Sequence, residues 1–197
     1  VMKPEQLQLG FLKVLSGAKM EQMASEYELL YTSLPPYEVL STKWIDYEDV
    51  LKFKNIENMV EIYYNSRQFT NALEYLETKF ETPFMMFEDI GNYYELHKLH
   101  EVKHNRIQMY EILLEYVKSV CNDYKTFEEL LKLDVYLREN IKTRPSFAGE
   151  INKEELREYN YKYRSIGKNV HIEEFGINII KWIENNQIVE ERQIILF

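Results

Sequence analysis

The sequence predicts a mainly α fold: a helical, bundle-like domain with an N-terminal β/α remnant and one or two short C-terminal β-strands. Three observations carry this. From Asp46 onward, apolar residues recur at i, i+3 and i+4 behind recognisable cap residues. Gly (6) and Pro (5) are scarce in 197 residues, so turns are few and regular elements long. Strand-like runs, apolar or alternating, occur only near the two ends.

Residues 7–12 (Leu-Gln-Leu-Gly-Phe-Leu) are an apolar run that reads as a strand. A turn containing Gly17 follows, and residues 20–31 read as an amphipathic helix. A lone β/α unit leaves its strand edges unpaired. The expectation is therefore a chain that begins inside a larger α/β fold. Pro35 and Pro36 break the helix and push Leu34 and Pro35 to extended geometry. Residues 37–44 read as extended or loop, and the boundary falls here: 1–36 as the end of one fold, 37–197 as a helical domain.

Asp46 caps a helix with the stripe Val50, Phe53, Ile56, Val60 and Tyr63, ending near Asn65 and Ser66. Thr70 is expected to cap the next, with Leu73, Leu76 and Phe80 inward. Thr82 before Pro83 starts another, whose stripe is Phe84, Phe87, Ile90 and Tyr94. Residues 96–104 read as a loop or broken turn. Asn105 opens a helix bearing Ile107, Tyr110, Leu113 or Leu114, Val117 and Cys121. Thr126 and Glu129 have capping-box spacing ahead of Phe127, Leu130, Leu131 and Leu137. Residues 143–149 are a break, and Asn152 with Glu155 caps a helix carrying Leu156, Tyr159 and Tyr163. After Gly167 the pattern alternates over 170–172, as a strand does. Residues 176–186 favour a short helix through Ile179, Ile180, Trp182 and Ile183. Residues 192–197 read as a final strand, needing as partner either the other terminal strand or the N-terminal unit.

The formal net charge is −9, and no Lys/Arg run forms the clustered basic face that nucleic acid requires. The densest basic stretch, 157–168, is interleaved with Glu158 and three tyrosines and reads as a solvated helix face. One cysteine, Cys121, rules out a disulfide framework or a Cys-only metal site. No apolar stretch approaches the ~18 residues of a membrane span, and the start does not resemble a signal peptide. A cytoplasmic protein is expected, with neither nucleic acid nor membrane as partner. Tyr (16) is abundant, which suits half-buried contact surfaces.

Three places carry side chains suited to chemistry. His97, His100, Glu101 and His104 would share one face if they lay on one helix, and imidazoles with a carboxylate at that spacing bind zinc or iron. The alternative is loop histidines beside a helix cap. Asp134 lies beside an apolar face, as a functional carboxylate or as a buried ion-pair or hydrogen-bond acceptor. Tyr63, Tyr64, Asn65 and Arg67 concentrate aromatic and polar groups at a helix end. With Tyr37 and Trp44 they are the candidate substrate or interface surface; the alternative is simple closure of the helix end.

Residues 8–20 (Gln-Leu-Gly-Phe-Leu-Lys-Val-Leu-Ser-Gly-Ala-Lys-Met) resemble the last strand-turn-helix unit of the radical S-adenosylmethionine barrel in cobalamin-binding-type members. Ser16-Gly17-Ala18-Lys19-Met20 stands where that family has a Pro-Gly-Thr-Pro-Leu-like turn; it keeps the Gly and the apolar residue and lacks both prolines and the Thr. Pro35-Pro36-Tyr37-Glu38-Val39-Leu40, Thr42-Lys43-Trp44, Tyr63-Tyr64-Asn65-Ser66 and Phe84 resemble the helical domain that follows this barrel in a group of bacterial proteins. The resemblance implies a parent enzyme with a [4Fe–4S] cluster, S-adenosylmethionine and cobalamin. It implies none of these cofactors in this chain, whose partner would be the barrel of its own polypeptide. It carries over no catalytic residue. The expected role is a non-catalytic accessory domain that shapes or caps the substrate site. The alternatives are a stand-alone acidic helical interaction module and a metal-dependent hydrolase built on the histidine cluster.

Overall fold

The computed structural model describes residues 3–139, 141, 144–149, 151–163 and 171–197, with Asn160 as backbone alone. The expected break at 143, the change of pattern after 167, the strand start at 170 and residues 164–168 of the basic stretch lie outside the described residues. The described chain is mainly helical, as predicted. It divides into two compact units, Val1–Arg67 with Phe80–Glu101, and Gln68–Lys79 with Val102–Phe197.

In the first unit the N-terminal expectation needs correcting. Residues 7–12 form no strand; a single antiparallel bridge joins Lys13 to Glu38, flanked by Val14 N–H to Tyr37 O and Val39 N–H to Leu12 O, both 2.9 Å. The helix expected over 20–31 is one turn, α1 (Lys19–Gln22), followed by turns. No residue of α1 is buried, and a single turn without a packed face does not propagate into a longer helix. Strand β1 (Leu30–Tyr31) pairs antiparallel with β2 (Val39–Ser41) across the Pro35–Pro36 turn.

Helix α2 (Tyr47–Met59) starts as predicted, with Asp46 Oδ1 accepting the Asp49 N–H at 2.8 Å. It continues into a π-helical segment, Val60–Asn65. Thr82 caps α4 (Pro83–Leu96), and α4 packs on α2. Val50, Ile56, Val60, Tyr63, Phe87, Ile90 and Tyr94 of the expected stripes are buried. Phe84 is not; it is 45% exposed, and Met86 takes an inward place.

Gly91 lies where α4 meets the Asn55 side chain of α2. A Cβ there would stand 2.8 Å from Asn55 Nδ2 and 3.0 Å from Cγ. Asn55 cannot swing away freely, because its Oδ1 accepts from His100 Nε2 at 3.0 Å. Gly91→Ala is expected to lower unfolding stability by about 1–2 kcal/mol, the overpacking outweighing the gain of ~1 kcal/mol in helix propensity. Adding Asn55→Ala should recover part of the loss. Urea denaturation of both variants checks it.

The second unit is built around α6 (Tyr124–Arg138), which packs against α3 (Thr70–Glu77), α5 (Arg106–Val120) and the C-terminal sheet. Asn105 and Gln108 form a reciprocal capping box on α5, as 2.8 and 2.9 Å hydrogen bonds. Helix α6 begins two residues before Thr126, so the expected box there is not used. Its burial is two-sided: Phe127, Leu130 and Leu131 are covered, and so are Leu133, Asp134 and Val135. Leu137, expected inward, is 51% exposed. Helix α7 (Lys153–Tyr163) follows Asn152, whose Oδ1 accepts from Glu154 N–H at 2.9 Å. Strands β3 (Ile172–Ile177) and β4 (Glu190–Leu196) pair with each other, antiparallel, around α8 (Ile179–Asn185). Phe175 and Trp182 are buried there.

Candidate functional site

The residues singled out at the end of the first long helix divide by direction. Tyr63 faces inward, and its hydroxyl meets that of Tyr94 at 2.6 Å in a buried pair. Burial, with the neighbouring Tyr94, pushes the Tyr63 phenol well above the ordinary tyrosine range. The pair is therefore neutral and structural.

Tyr64, Asn65 and Arg67 point elsewhere and converge on one stretch of backbone, residues 4–7, which bends at Glu5. Asn65 Oδ1 accepts the Leu7 N–H at 2.9 Å, and Asn65 Nδ2 donates to Leu7 O at 2.9 Å. Its second amide hydrogen goes to Glu61 Oε2 at 2.7 Å. This fixes the amide's orientation, since a flip would set its oxygen against two acceptors. The Tyr64 hydroxyl donates to Pro4 O, and Arg67 Nε donates to Glu5 O at 2.9 Å. Every one of these bonds to the segment goes to a main-chain atom.

Local backbone explains how neighbours on one helix reach one target. A regular α-helix sends adjacent side chains about 100° apart. The π-helical turn Val60–Asn65 widens the end of α2, a distortion often found at functional positions. Arg67 then takes a left-handed conformation, φ +59°, uncommon for a residue with a Cβ. The guanidinium is thereby turned back onto the segment that Tyr64 and Asn65 hold.

Tyr37 and Trp44 take no part in this clamp. The Tyr37 carbonyl accepts from Val14 N–H. Trp44 is 67% exposed; it lies 5.5 Å from the Tyr27 ring, and Lys43 Nζ sits over both rings at 4.3 and 5.0 Å.

The histidine cluster is dispersed. Helix α4 stops at Leu96, and a 3₁₀ turn, Leu99–Glu101, follows, so His97, His100, Glu101 and His104 do not share one helical face. His97 lies against Tyr93, the ring centroids 4.2 Å apart and the planes tilted by 40°. Both ring nitrogens of His100 are engaged, Nε2 with Asn55 Oδ1 and Nδ1 with Asn58 Nδ2. Among the described residues no group of three or more His, Cys, Asp or Glu is placed to hold a metal ion. The whole sequence has one thiol, Cys121, whereas an iron–sulfur cluster takes several thiolates, so such a cluster does not fit this chain.

Asp134 is an acceptor and not a solvent-facing carboxylate. It is 0% exposed. Its Oδ1 accepts from Asn71 N–H at 3.1 Å and Asn71 Nδ2 at 2.8 Å; its Oδ2 accepts from Ala72 N–H at 2.8 Å. It thus caps α3 from α6, the work expected of Thr70, which is instead the first helical residue. Asn71 Oδ1 in turn accepts from Trp182 Nε1 at 2.9 Å.

Sequence reasoning missed the Arg144–Glu173 pair. Glu173 is fully buried and accepts Arg144 Nη2 at 2.5 Å and Nε at 2.9 Å. Nothing local marks two such distant residues as partners; only the odd acidic residue at an inward strand position signals it.

No helix among the described residues is long and apolar enough to cross a membrane. A family model described as a protein of unknown function, DUF4080, matches residues 25–197. Neither the curated proteins nor the solved structures contain a match.

Proposed function

The chain belongs to this family of unknown function, and from that premise we propose that it serves as the non-catalytic C-terminal accessory domain of a cytoplasmic radical S-adenosylmethionine enzyme, one that also binds cobalamin. The observation that supports the reading most is the clamp. Residues 8–20 resemble the last strand-turn-helix of a radical barrel, and the backbone just before them, Pro4, Glu5 and Leu7, is held by Tyr64, Asn65 and Arg67. An accessory domain in contact with the segment that leads into this barrel-like stretch is positioned to shape or cap the substrate site, and pockets favour such junctions. In this reading 1–36 close the barrel and 37–197 form the accessory domain. The iron–sulfur cluster, S-adenosylmethionine and cobalamin belong to other parts of the polypeptide, and no step of their chemistry falls to residues of this chain.

The test is the longer polypeptide. The coding sequence upstream of Val1 should specify a Cys-x-x-x-Cys-x-x-Cys loop, and the purified product should hold iron and cleave S-adenosylmethionine. A start codon close upstream with no such loop overturns the reading in favour of a stand-alone acidic interaction module.

A further inference from the structure

We propose that Tyr64, Asn65 and Arg67 form a binding site for polypeptide main chain, occupied in this structure by the chain's own residues 4–7 and open to a competing peptide segment. The inference does not depend on the identity of any parent enzyme.

The chemistry of recognition is that of strand pairing. A carboxamide that accepts from one N–H and donates to the C=O of the same residue reproduces a β-bridge with a side chain in place of the partner strand. Tyr64 and Arg67 each add a donor to a carbonyl farther along, at Pro4 and Glu5. Three residues of the segment are thus held through main-chain atoms, which every peptide offers. The site is built beforehand: Glu61 orients the Asn65 amide, and the π-helical turn with the left-handed Arg67 sets the spacing.

The present occupant is held without being part of the core. Residues 3–10 are all exposed, Leu7 to 40% and Leu9 to 39%. Releasing the segment breaks the clamp's hydrogen bonds, each worth about 1 kcal/mol. A segment bound at that strength exchanges with peptide in solution.

The experiment uses the full chain and a fluorescein-labelled peptide with the sequence of residues 3–9, followed by fluorescence anisotropy. Leu7→Pro in the chain removes the N–H that Asn65 accepts and frees the clamp while leaving every buried residue in place; an unchanged thermal melt verifies folding. The Leu7→Pro chain should bind the peptide about tenfold more tightly than the unsubstituted chain. Adding Asn65→Asp, which loses the donor to the carbonyl, should reverse that gain. N-methylation of the peptide at the residue corresponding to Leu7 should weaken binding about tenfold, whereas exchanging its Gln and Leu side chains should leave affinity within about threefold. Equal binding to the Leu7→Pro and unsubstituted chains, tolerance of the N-methyl group, or strong dependence on side-chain order would each overturn the proposal.

Discussion

Replacing Glu173 by Ala is expected to lower the unfolding free energy by about 3 kcal/mol, measured by urea or guanidinium denaturation near pH 7. The carboxylate is fully buried on β3, and its two oxygens take the Arg144 Nε and Nη2 and the Glu174 N–H at 2.5–3.0 Å. Arg144 also donates to the carbonyls of Ala148 and Gly149, so one guanidinium ties the strand to the 3₁₀ turn Ser146–Ala148. Removing one member of a buried pair strands the other charge, at a cost of ~3–5 kcal/mol. Arg144 is a quarter exposed and can regain some hydration, which sets the expectation at the lower end. Exchanging both members for methionine should cost less than Glu173→Ala alone, because no charge is left unpaired. A loss under about 1 kcal/mol for Glu173→Ala would mean that the pair is incidental.

The same pair fixes a pH dependence. Burial by itself raises the Glu173 pKa, but the hydrogen bonds and charge of Arg144, with a further contribution from Tyr136, outweigh it and hold the group below the ordinary carboxylate value. Its stabilisation is therefore complete above the ordinary carboxylate range and is lost as the pH falls below it. In Glu173→Ala that acid-side loss should shrink.

What the sequence made legible was the part governed by local rules. The Asp46, Thr82 and Asn105 caps depend on an acceptor three residues from the amide it serves, and all three are found as predicted. The buried stripes of α2, α4 and α5 follow from helical periodicity. Several failures share a cause: a distant partner decided the outcome. Thr70 is not a cap because Asp134, more than sixty residues away, fills that place. Leu137 is exposed and Asp134 buried because α6 is covered from several sides, which a single apolar stripe does not foretell. Residues 7–12 look like a strand by composition, yet extended backbone becomes a strand only where a neighbour pairs with it; here the Asn65 side chain takes Leu7, and main-chain pairing begins only at Leu12. The clamp was half visible. Its residues stood out as a polar and aromatic concentration, but the π-helical turn that aims them leaves no sequence signature.

Asp134 offers the sharpest solution test of the second unit. Burial pushes its carboxyl from 3.8 to about 6, in spite of the Ala72 and Asn71 hydrogen bonds that favour the anion. At about 1.4 kcal/mol per unit, that shift is worth ~3 kcal/mol of stability. The sign follows from the protons held. Between about pH 4 and pH 6 the native state keeps a proton that the unfolded chain has released. Stability from this group is thus full below pH ~4, falls as the pH rises, and is gone above about 6. Glu128, pushed up by burial as well, contributes in the same direction, so the difference from a variant is the cleaner measurement. Asp134→Asn removes the titration and turns an NH₂ toward donors on Asn71. If Asn71 flips to accept from it, Trp182 Nε1 loses its acceptor. One buried polar group is left unsatisfied either way, a cost of about 2 kcal/mol at pH 7. The gap between the unsubstituted chain and Asp134→Asn should accordingly widen as the pH is lowered from 7 to 4. Parallel stability curves over that interval would show that Asp134 is ionised in the native state throughout, its three donors prevailing over burial.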